Sequence, residues 1–148
     1  ALVVKLSPNV TDITELARAA IDGGAQALSL INTYVGLSID AKTWKPRLAN
    51  TTGGLSGPAI KPLALFNIHK TYREVTRKAG IPIIGMGGVQ SAEDAVEFFL
   101  AGASAIAVGT ALFVDPKLPE RIADGLSAYL DKRGLGHVSE LTGRLQIA

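Results

Sequence analysis

The stretch IPIIGMGGVQSAEDAVEFFLAGASAIAVGT, residues 81–110, decides the fold. It contains two short apolar runs, residues 81–86 and 104–108, and such runs are typical of buried strands. Between them, Ser91 is a favourable helix N-cap, and Gly102 favours the end of that helix. The stretch therefore predicts a strand, a helix and a second strand, with a glycine turn after each strand.

The two glycine turns predict a phosphate-binding site. Gly87 and Gly88 follow the first strand, and Gly109 and Thr110 follow the second. Backbone amides can surround a phosphate only where no Cβ stands in the way and where the turn can use positive φ. We expect the three glycines to meet both conditions and the Thr110 hydroxyl to add a donor. The alternative is an ordinary pair of turns without a ligand, but their occurrence on consecutive units favours phosphate.

The rest of the chain repeats the alternation of strand and helix. Further apolar runs predict strands at residues 2–6 and 25–31. Helices are predicted from Thr11 or Asp12 to residue 22, from Pro58 to about residue 78, over residues 118–130, and in the tail over residues 138–141. Four parallel strands alternating with helices indicate an α/β fold.

The position of the phosphate turns predicts which part of a larger fold this is. A complete (β/α)8 TIM barrel has eight strand–helix units in about 250 residues, and its phosphate site often follows the last two strands. Four units in 148 residues, beginning inside a strand, therefore predict the second half of such a barrel. We expect residues 1–148 to be the C-terminal half of a single domain, with the N-terminal half outside this chain.

The composition narrows the classes of function. The chain has no cysteine, which excludes a disulfide scaffold and a cysteine nucleophile within it. The net charge is +2 and the basic residues form no run, so nucleic-acid binding has little support. No apolar run is long enough to predict a membrane span, and a cytoplasmic location is the expectation. His69 and His137 have no metal-ligand spacing, and we predict no metal site.

Three further features are candidates for the site. Lys5 interrupts an apolar strand near its carboxyl end, where a buried ammonium needs an anionic partner. The alternatives to a ligand are a carboxylate from a neighbouring strand and extension of the side chain to water. Asn32 and Thr33 end the second strand, where polar side chains can address a ligand. Residues 34–57 have no useful period, and we expect a partly mobile segment over the mouth of the site, with Trp44 exposed at its turn.

Five segments, in their order and spacing, resemble dihydroorotate dehydrogenases. They are VKLSPNVTDI at 4–13, LINT at 30–33, TGGLSGPAIKP at 52–62, GMGGV at 85–89 and VGTALF at 108–113. Residues 39–62 are similar to the NAD-linked branch of class 1. In that branch a catalytic FMN subunit is paired with an electron-transfer subunit that carries FAD and an iron–sulfur cluster. The resemblance implies a heterotetramer that contains a homodimer of catalytic subunits.

The resemblance implies oxidation of dihydroorotate to orotate in pyrimidine biosynthesis. It implies contacts to FMN from Lys5, Ile31, Gly57, Gly87, Gly88, Gly109 and Thr110. It also implies that Asn32 and Thr33 bind orotate and that Lys5 stabilises the negative charge of the reduced flavin. The catalytic base of this branch is a cysteine in the first half of the barrel, so we assign no catalytic residue and expect this chain alone to be inactive.

Two alternatives stay open. The pyrimidine-reducing domain of dihydropyrimidine dehydrogenase resembles the same segments, although its loop corresponding to residues 42–57 differs. A non-catalytic half barrel that binds phosphate is the second alternative.

Overall fold

The computed structural model describes residues 1–147. In chain order its strands and α-helices are β1 (Val3–Lys5), α1 (Ile13–Asp22), β2 (Ala27–Leu30), β3 (Tyr34–Leu37), β4 (Ile39–Asp40), β5 (Lys45–Pro46), β6 (Thr52–Leu55), α2 (Lys61–Thr71), α3 (Arg77–Ala79), β7 (Ile83–Gly85), α4 (Ala92–Ala101), β8 (Ala105–Ile106) and α5 (Leu118–Arg133). Short 3₁₀ turns lie at Pro58–Ile60, Thr110–Phe113 and Val138–Leu141, and a π-helical turn at Tyr72–Thr76 joins α2 to α3.

The centre of the fold is a four-stranded parallel sheet in the order β1-β2-β7-β8. All four predicted strands are present, and each is followed by a helix, so the predicted α/β fold is confirmed. Because each strand is connected to the next through a helix, the strands run parallel and their carboxyl ends lie together at one end of the sheet.

The helices cover one face of the sheet. Leu28 and Ile83 are in register on adjacent strands and are buried, and they belong to a core that also contains Ile68 of α2 and Phe98 of α4. Lys5, Ser29, Ile84 and Ala105 form a row across the four strands by their register. Alternation along each strand places this row on the opposite face, where Lys5 and Ala105 are exposed.

Side-chain caps explain why two of the helices begin where they do. Asp12 has extended backbone and its carboxylate accepts the Thr14 amide, so Asp12 and not Thr11 caps α1. Ser91 caps α4 by accepting the Asp94 amide, as predicted. His137, for which we predicted no metal role, caps the tail turn at Val138–Leu141.

Residues 34–55 contain secondary structure that the sequence pattern does not predict. We name this segment the arm. Strand β3 pairs antiparallel with β6, and β4 pairs with β5. The strands are two to four residues long and many of their side chains are exposed, so they show no alternation of apolar and polar residues. Trp44 lies between β4 and β5 and is 88% exposed, as expected.

No helix within residues 1–147 is both long enough and apolar enough to cross a membrane.

Candidate functional site

A cleft of about 310 Å³ lies at the carboxyl ends of the four parallel strands. All nine residues that the sequence and the resemblance single out line this one cleft: Lys5, Ile31, Asn32, Thr33, Gly57, Gly87, Gly88, Gly109 and Thr110. The structure adds Ser56, Ile60, Met86, Ala107 and Val108. This is the place where an open parallel sheet exposes loops that can be varied without disturbing the core.

The glycine end of the cleft carries unused hydrogen-bond donors. Within residues 1–147, the backbone amides of Gly87, Gly88 and Gly109 donate no hydrogen bond. The same three glycines, with Gly57 and Thr110, also border an adjoining cavity of about 210 Å³. Unpaired amides around an open space form a site for an anion, because each N–H directs a partial positive charge into that space.

Gly87 and Gly88 are glycines for two reasons. Their φ angles are 129° and 84°, values that residues with a side chain rarely adopt. A Cβ at Gly88 would lie 2.8 Å from the Gly57 carbonyl oxygen, and one at Gly87 would lie 2.9 Å from the Ala64 Cβ. The turn after β7 therefore packs directly on the first turns of the helix that begins at Pro58.

Gly109 differs from our prediction. Its φ is −114°, so this turn does not use the positive φ that we expected of all three glycines. A Cβ at Gly109 would meet no atom within 4 Å, and the same is true at Gly57. A positive φ is therefore not the reason for glycine at position 109. The missing side chain instead leaves room in the cleft.

Of the five cleft residues that sequence reasoning missed, Ser56 is the one with a side-chain hydroxyl. The Thr110 hydroxyl donates a hydrogen bond of 2.9 Å to the Ser56 hydroxyl, which joins the loop after β8 to the segment before Pro58. In this structure the Thr110 hydroxyl donates to Ser56, and its role as a donor to a ligand stays a prediction. The signal was the position of Ser56 immediately before Gly57, in a segment whose other polar residues lie on the arm.

Within residues 1–147 Lys5 is exposed, which agrees with the alternative that its side chain extends to water and not with a buried ammonium. Leu6 is buried and Val4 half-buried on the helix side. Lys5 lies on the other face of an edge strand, where nothing within the described part of the chain covers it. None of the ion pairs in residues 1–147 includes Lys5, so the carboxylate partner that we weighed is not present there.

The end of β2 is held by hydrogen bonds from the loop after β1. Asn9 donates to the Thr33 carbonyl at 2.9 Å, and its side-chain oxygen accepts the Val35 amide at 2.9 Å. The Asn32 side chain accepts the Thr33 amide and is exposed in the cleft. The Ile31 amide donates a hydrogen bond to the Met86 carbonyl. These contacts fix the backbone that presents Ile31, Asn32 and Thr33.

A group of charged side chains lies behind the glycine end. Lys61, in the first turn of α2, contacts Asp94 at 2.6 Å and Glu97 at 3.0 Å, both on α4. The hydrogen bond to Asp94 raises the pKa of Lys61 above 10.5, although burial opposes the shift. Burial would raise the pKa of Asp94, but the Lys61 ammonium and the Gln90 amide hold it below 3.8. Both shifts favour the charged pair.

Within residues 1–147, no group of three or more His, Cys, Asp or Glu side chains is placed to hold a metal ion. Within residues 1–147, the cleft lining offers the Lys5 ammonium, several hydroxyl and amide groups, and the free backbone donors.

The fold and the cleft together define a class: α/β proteins with an open cleft where their parallel strands end. The comparisons give the family. The model of the dihydroorotate dehydrogenase family matches residues 1–130. The chain is 58% identical to the dihydroorotate dehydrogenase B (NAD(+)) catalytic subunit of Bacillus cytotoxicus over 141 residues, 59% to that of Geobacillus kaustophilus, and 54% to that of Pelobacter propionicus over 145 residues.

These alignments cover 95–98% of this chain but 44–46% of the relatives. The chain thus spans less than half the length of the curated relatives that it matches. It belongs to the dihydroorotate dehydrogenase family.

Proposed function

We propose that this chain is the C-terminal half of an FMN-binding barrel that oxidises dihydroorotate to orotate in the synthesis of pyrimidines. Two things support the proposal: identity of 54–59% to proteins named dihydroorotate dehydrogenase B catalytic subunits, and a cleft lined by unpaired backbone amides at its glycine end. The unpaired amides are the structural observation that carries the proposal, because backbone N–H donors around an open space favour an anionic group such as the phosphate of FMN.

The residues of the cleft fit that cofactor. The amides of Gly87, Gly88 and Gly109 would hold the phosphate, and the absent side chains at Gly57 and Gly109 leave space for it. The backbone at Ile31 and the Lys5 ammonium would lie along the flavin ring. When bound, FMN supplies the group that accepts a hydride from the substrate.

In the proposed enzyme Asn32 and Thr33 bind the substrate. Both border the cleft away from the adjoining cavity at the glycine end, and both offer polar groups to a ring with carbonyl, N–H and carboxylate functions. An exposed Lys5 in the same cleft would attract the substrate carboxylate or the negative charge of the reduced flavin.

The remainder of the protein would complete the barrel. Strands β1 and β8 are the two edges of the sheet, and the row that contains Lys5 and Ala105 faces away from the helices. Additional strands pairing with both edges would cover that row and would supply the catalytic base, for which this chain has no cysteine. On this proposal the chain alone is inactive.

The partner is proposed from the names of the relatives. These are catalytic subunits of an NAD(+)-linked enzyme. Together with the resemblance of residues 39–62 to the NAD-linked branch, the names lead us to infer that electrons leave the flavin for NAD through a separate subunit. On that resemblance, the subunit carries FAD and an iron–sulfur cluster, and two catalytic subunits form a dimer in the complex. A cytoplasmic location stays a prediction.

The test uses the complete protein that contains this sequence. It should purify with FMN, and anaerobic dihydroorotate should bleach the flavin absorbance, whereas dihydrouracil should not. Bleaching by dihydrouracil alone would instead identify a dihydropyrimidine dehydrogenase. A complete protein that binds inorganic phosphate but no flavin would overturn the proposal in favour of a phosphate-binding module.

A further inference from the structure

We propose that Lys61 and Asp94 are positioning residues that hold the segment at Gly57 and the turn at Gly87 and Gly88 in the arrangement that binds phosphate. The inference rests on the proposed function, since it concerns the phosphate end of the FMN site. It assigns a role to charged residues that do not themselves line the cleft or the adjoining cavity.

The first step is the link that Asp94 makes between two parts of the chain. One carboxylate oxygen contacts the Lys61 ammonium at 2.6 Å, and the other accepts the Gln90 amide at 2.8 Å. Lys61 is in the first turn of α2, four residues after Gly57, and Gln90 is two residues after Gly88. A single side chain therefore connects the helix start to the turn after β7.

The second step is how closely these two segments approach. The position of a Cβ on Gly88 lies 2.8 Å from the Gly57 carbonyl oxygen, 3.0 Å from the Lys61 Cβ and 3.1 Å from the Pro58 Cα. Backbones in such contact have little freedom in one direction but can still separate or slide. The Lys61–Asp94–Gln90 link opposes those movements and so fixes the directions of the Gly87 and Gly88 amides.

The third step concerns what Lys61 does not do. An ammonium beside a phosphate site is expected to contact the phosphate, but Lys61 is directed at Asp94 and Glu97 and is absent from the cleft lining. Its side chain is 26% exposed and that of Asp94 is 15% exposed, so the pair is partly shielded from water. Lys61 also offsets two carboxylates that would otherwise repel a phosphate nearby.

The experiment compares isosteric variants of the complete protein. Asp94→Asn removes the charge and cannot accept from both Lys61 and Gln90 as the carboxylate does. Glu93→Gln is the matched control, because it removes the same charge from the same helix turn, and Glu93 has no ion-pair or side-chain hydrogen-bond partner within residues 1–147. The affinities of FMN and of riboflavin, which lacks the phosphate, are measured for each apoprotein by fluorescence quenching.

The expected result is specific to phosphate. Asp94→Asn should weaken FMN binding by about tenfold, the effect of losing one charge-assisted hydrogen bond, and should leave riboflavin binding within about twofold. Glu93→Gln should change neither affinity. Lys61→Met should lower the ratio of FMN affinity to riboflavin affinity in the same way. The variant with both substitutions should bind FMN no more weakly than the weaker single variant, because both substitutions break the same link.

Two results for Asp94→Asn would overturn the inference. In the first, neither affinity changes; in the second, the affinities for FMN and riboflavin fall equally, as a general loss of folding would also make them do. If Asp94→Asn does not fold, the same ratio measured on Lys61→Met decides. A parent protein that binds FMN and riboflavin equally would contradict the phosphate site itself, and hence the proposed function, before any variant is made.

Discussion

The hydroxyl groups of Ser56 and Thr110 lie 2.9 Å apart and join the loop after β8 to the segment before Pro58. Thr110 donates in this bond, which leaves the Ser56 proton able to reach an anion in the cleft. The pair joins the loop at Gly109 to the segment at Gly57. Asp94 in the same way joins the turn at Gly87 and Gly88 to the start of α2.

We therefore predict that Thr110→Val weakens FMN binding in the complete protein. The change keeps the shape of the side chain and removes its donor, so the loss should be about fivefold to tenfold, corresponding to about 1 kcal/mol for one hydrogen bond. Titration of the apoprotein with FMN measures it. Ser56→Ala should cost at least as much, and a double variant whose loss equals the sum of the single losses would show that the two hydroxyls act independently.

Gly88→Ala and Gly109→Ala should fail in different ways. At Gly88 an alanine requires a φ of 84° and a Cβ 2.8 Å from the Gly57 oxygen, so the free energy of unfolding should fall by about 1–3 kcal/mol, together with FMN affinity. At Gly109 the added methyl group meets no protein atom within 4 Å. There the stability should change by less than about 0.5 kcal/mol while FMN affinity falls.

Denaturant unfolding of the two apoproteins and FMN titration separate these effects. Equal destabilisation by both substitutions would mean that Gly109 has a structural role. Unchanged FMN affinity in Gly109→Ala would place the phosphate elsewhere.

The sheet could be predicted because its signals are local. The strand around Ile83 is a short apolar run, Ser91 caps the following helix, and Gly102 ends it, so the pattern agrees with the cap and the burial at each position. The arm could not be predicted, because β3 and β6 pair across intervening residues and neither strand has a buried face from which to read a period.

The residues that line the cleft could be predicted from the sequence, but their contacts could not. The positions of Gly87 and Gly88 after a strand indicate where they lie, whereas the exposure of Lys5 depends on what covers an edge strand. The bond between Ser56 and Thr110 and the link from Lys61 to Asp94 join residues far apart in sequence. No periodicity encodes such pairs.

The cap at Asp12 predicts a dependence of stability on pH. The Thr14 amide, then Lys70 and the Thr14 hydroxyl, lower the pKa of Asp12 from 3.8 to about 2. A carboxyl with a lowered folded-state pKa adds stability above its unfolded-state pKa and loses it as the pH falls through the folded-state value. The stability difference between the parent and Asp12→Asn should be constant at neutral pH and should shrink between pH 3.8 and about 2.

Urea unfolding at a series of pH values checks this prediction. Asn keeps an N-cap acceptor, so the comparison isolates the charge and its contact with Lys70. Asp22→Asn is the control, since it removes a charge from the other end of α1, where no ion pair or side-chain hydrogen bond forms within residues 1–147. A difference for Asp12→Asn that does not vary between pH 4 and pH 2 would contradict the cap's charged role.

Lys5→Ala tests whether the exposed ammonium in the cleft serves the flavin. If Lys5 stabilises the negative charge of reduced FMN, its loss should lower the two-electron reduction potential by about 30 mV or more, which corresponds to about 1.4 kcal/mol. Stability should change by less than about 0.5 kcal/mol, because Lys5 is exposed and has no ion-pair partner within residues 1–147. Lys42→Ala, on the exposed arm, removes the same charge away from the cleft and should leave the potential unchanged. Spectroelectrochemistry and denaturant unfolding of the complete protein measure both quantities. An unchanged potential with a loss of about 3–5 kcal/mol would mean that Lys5 pairs with a carboxylate from outside these residues and has no role at the flavin.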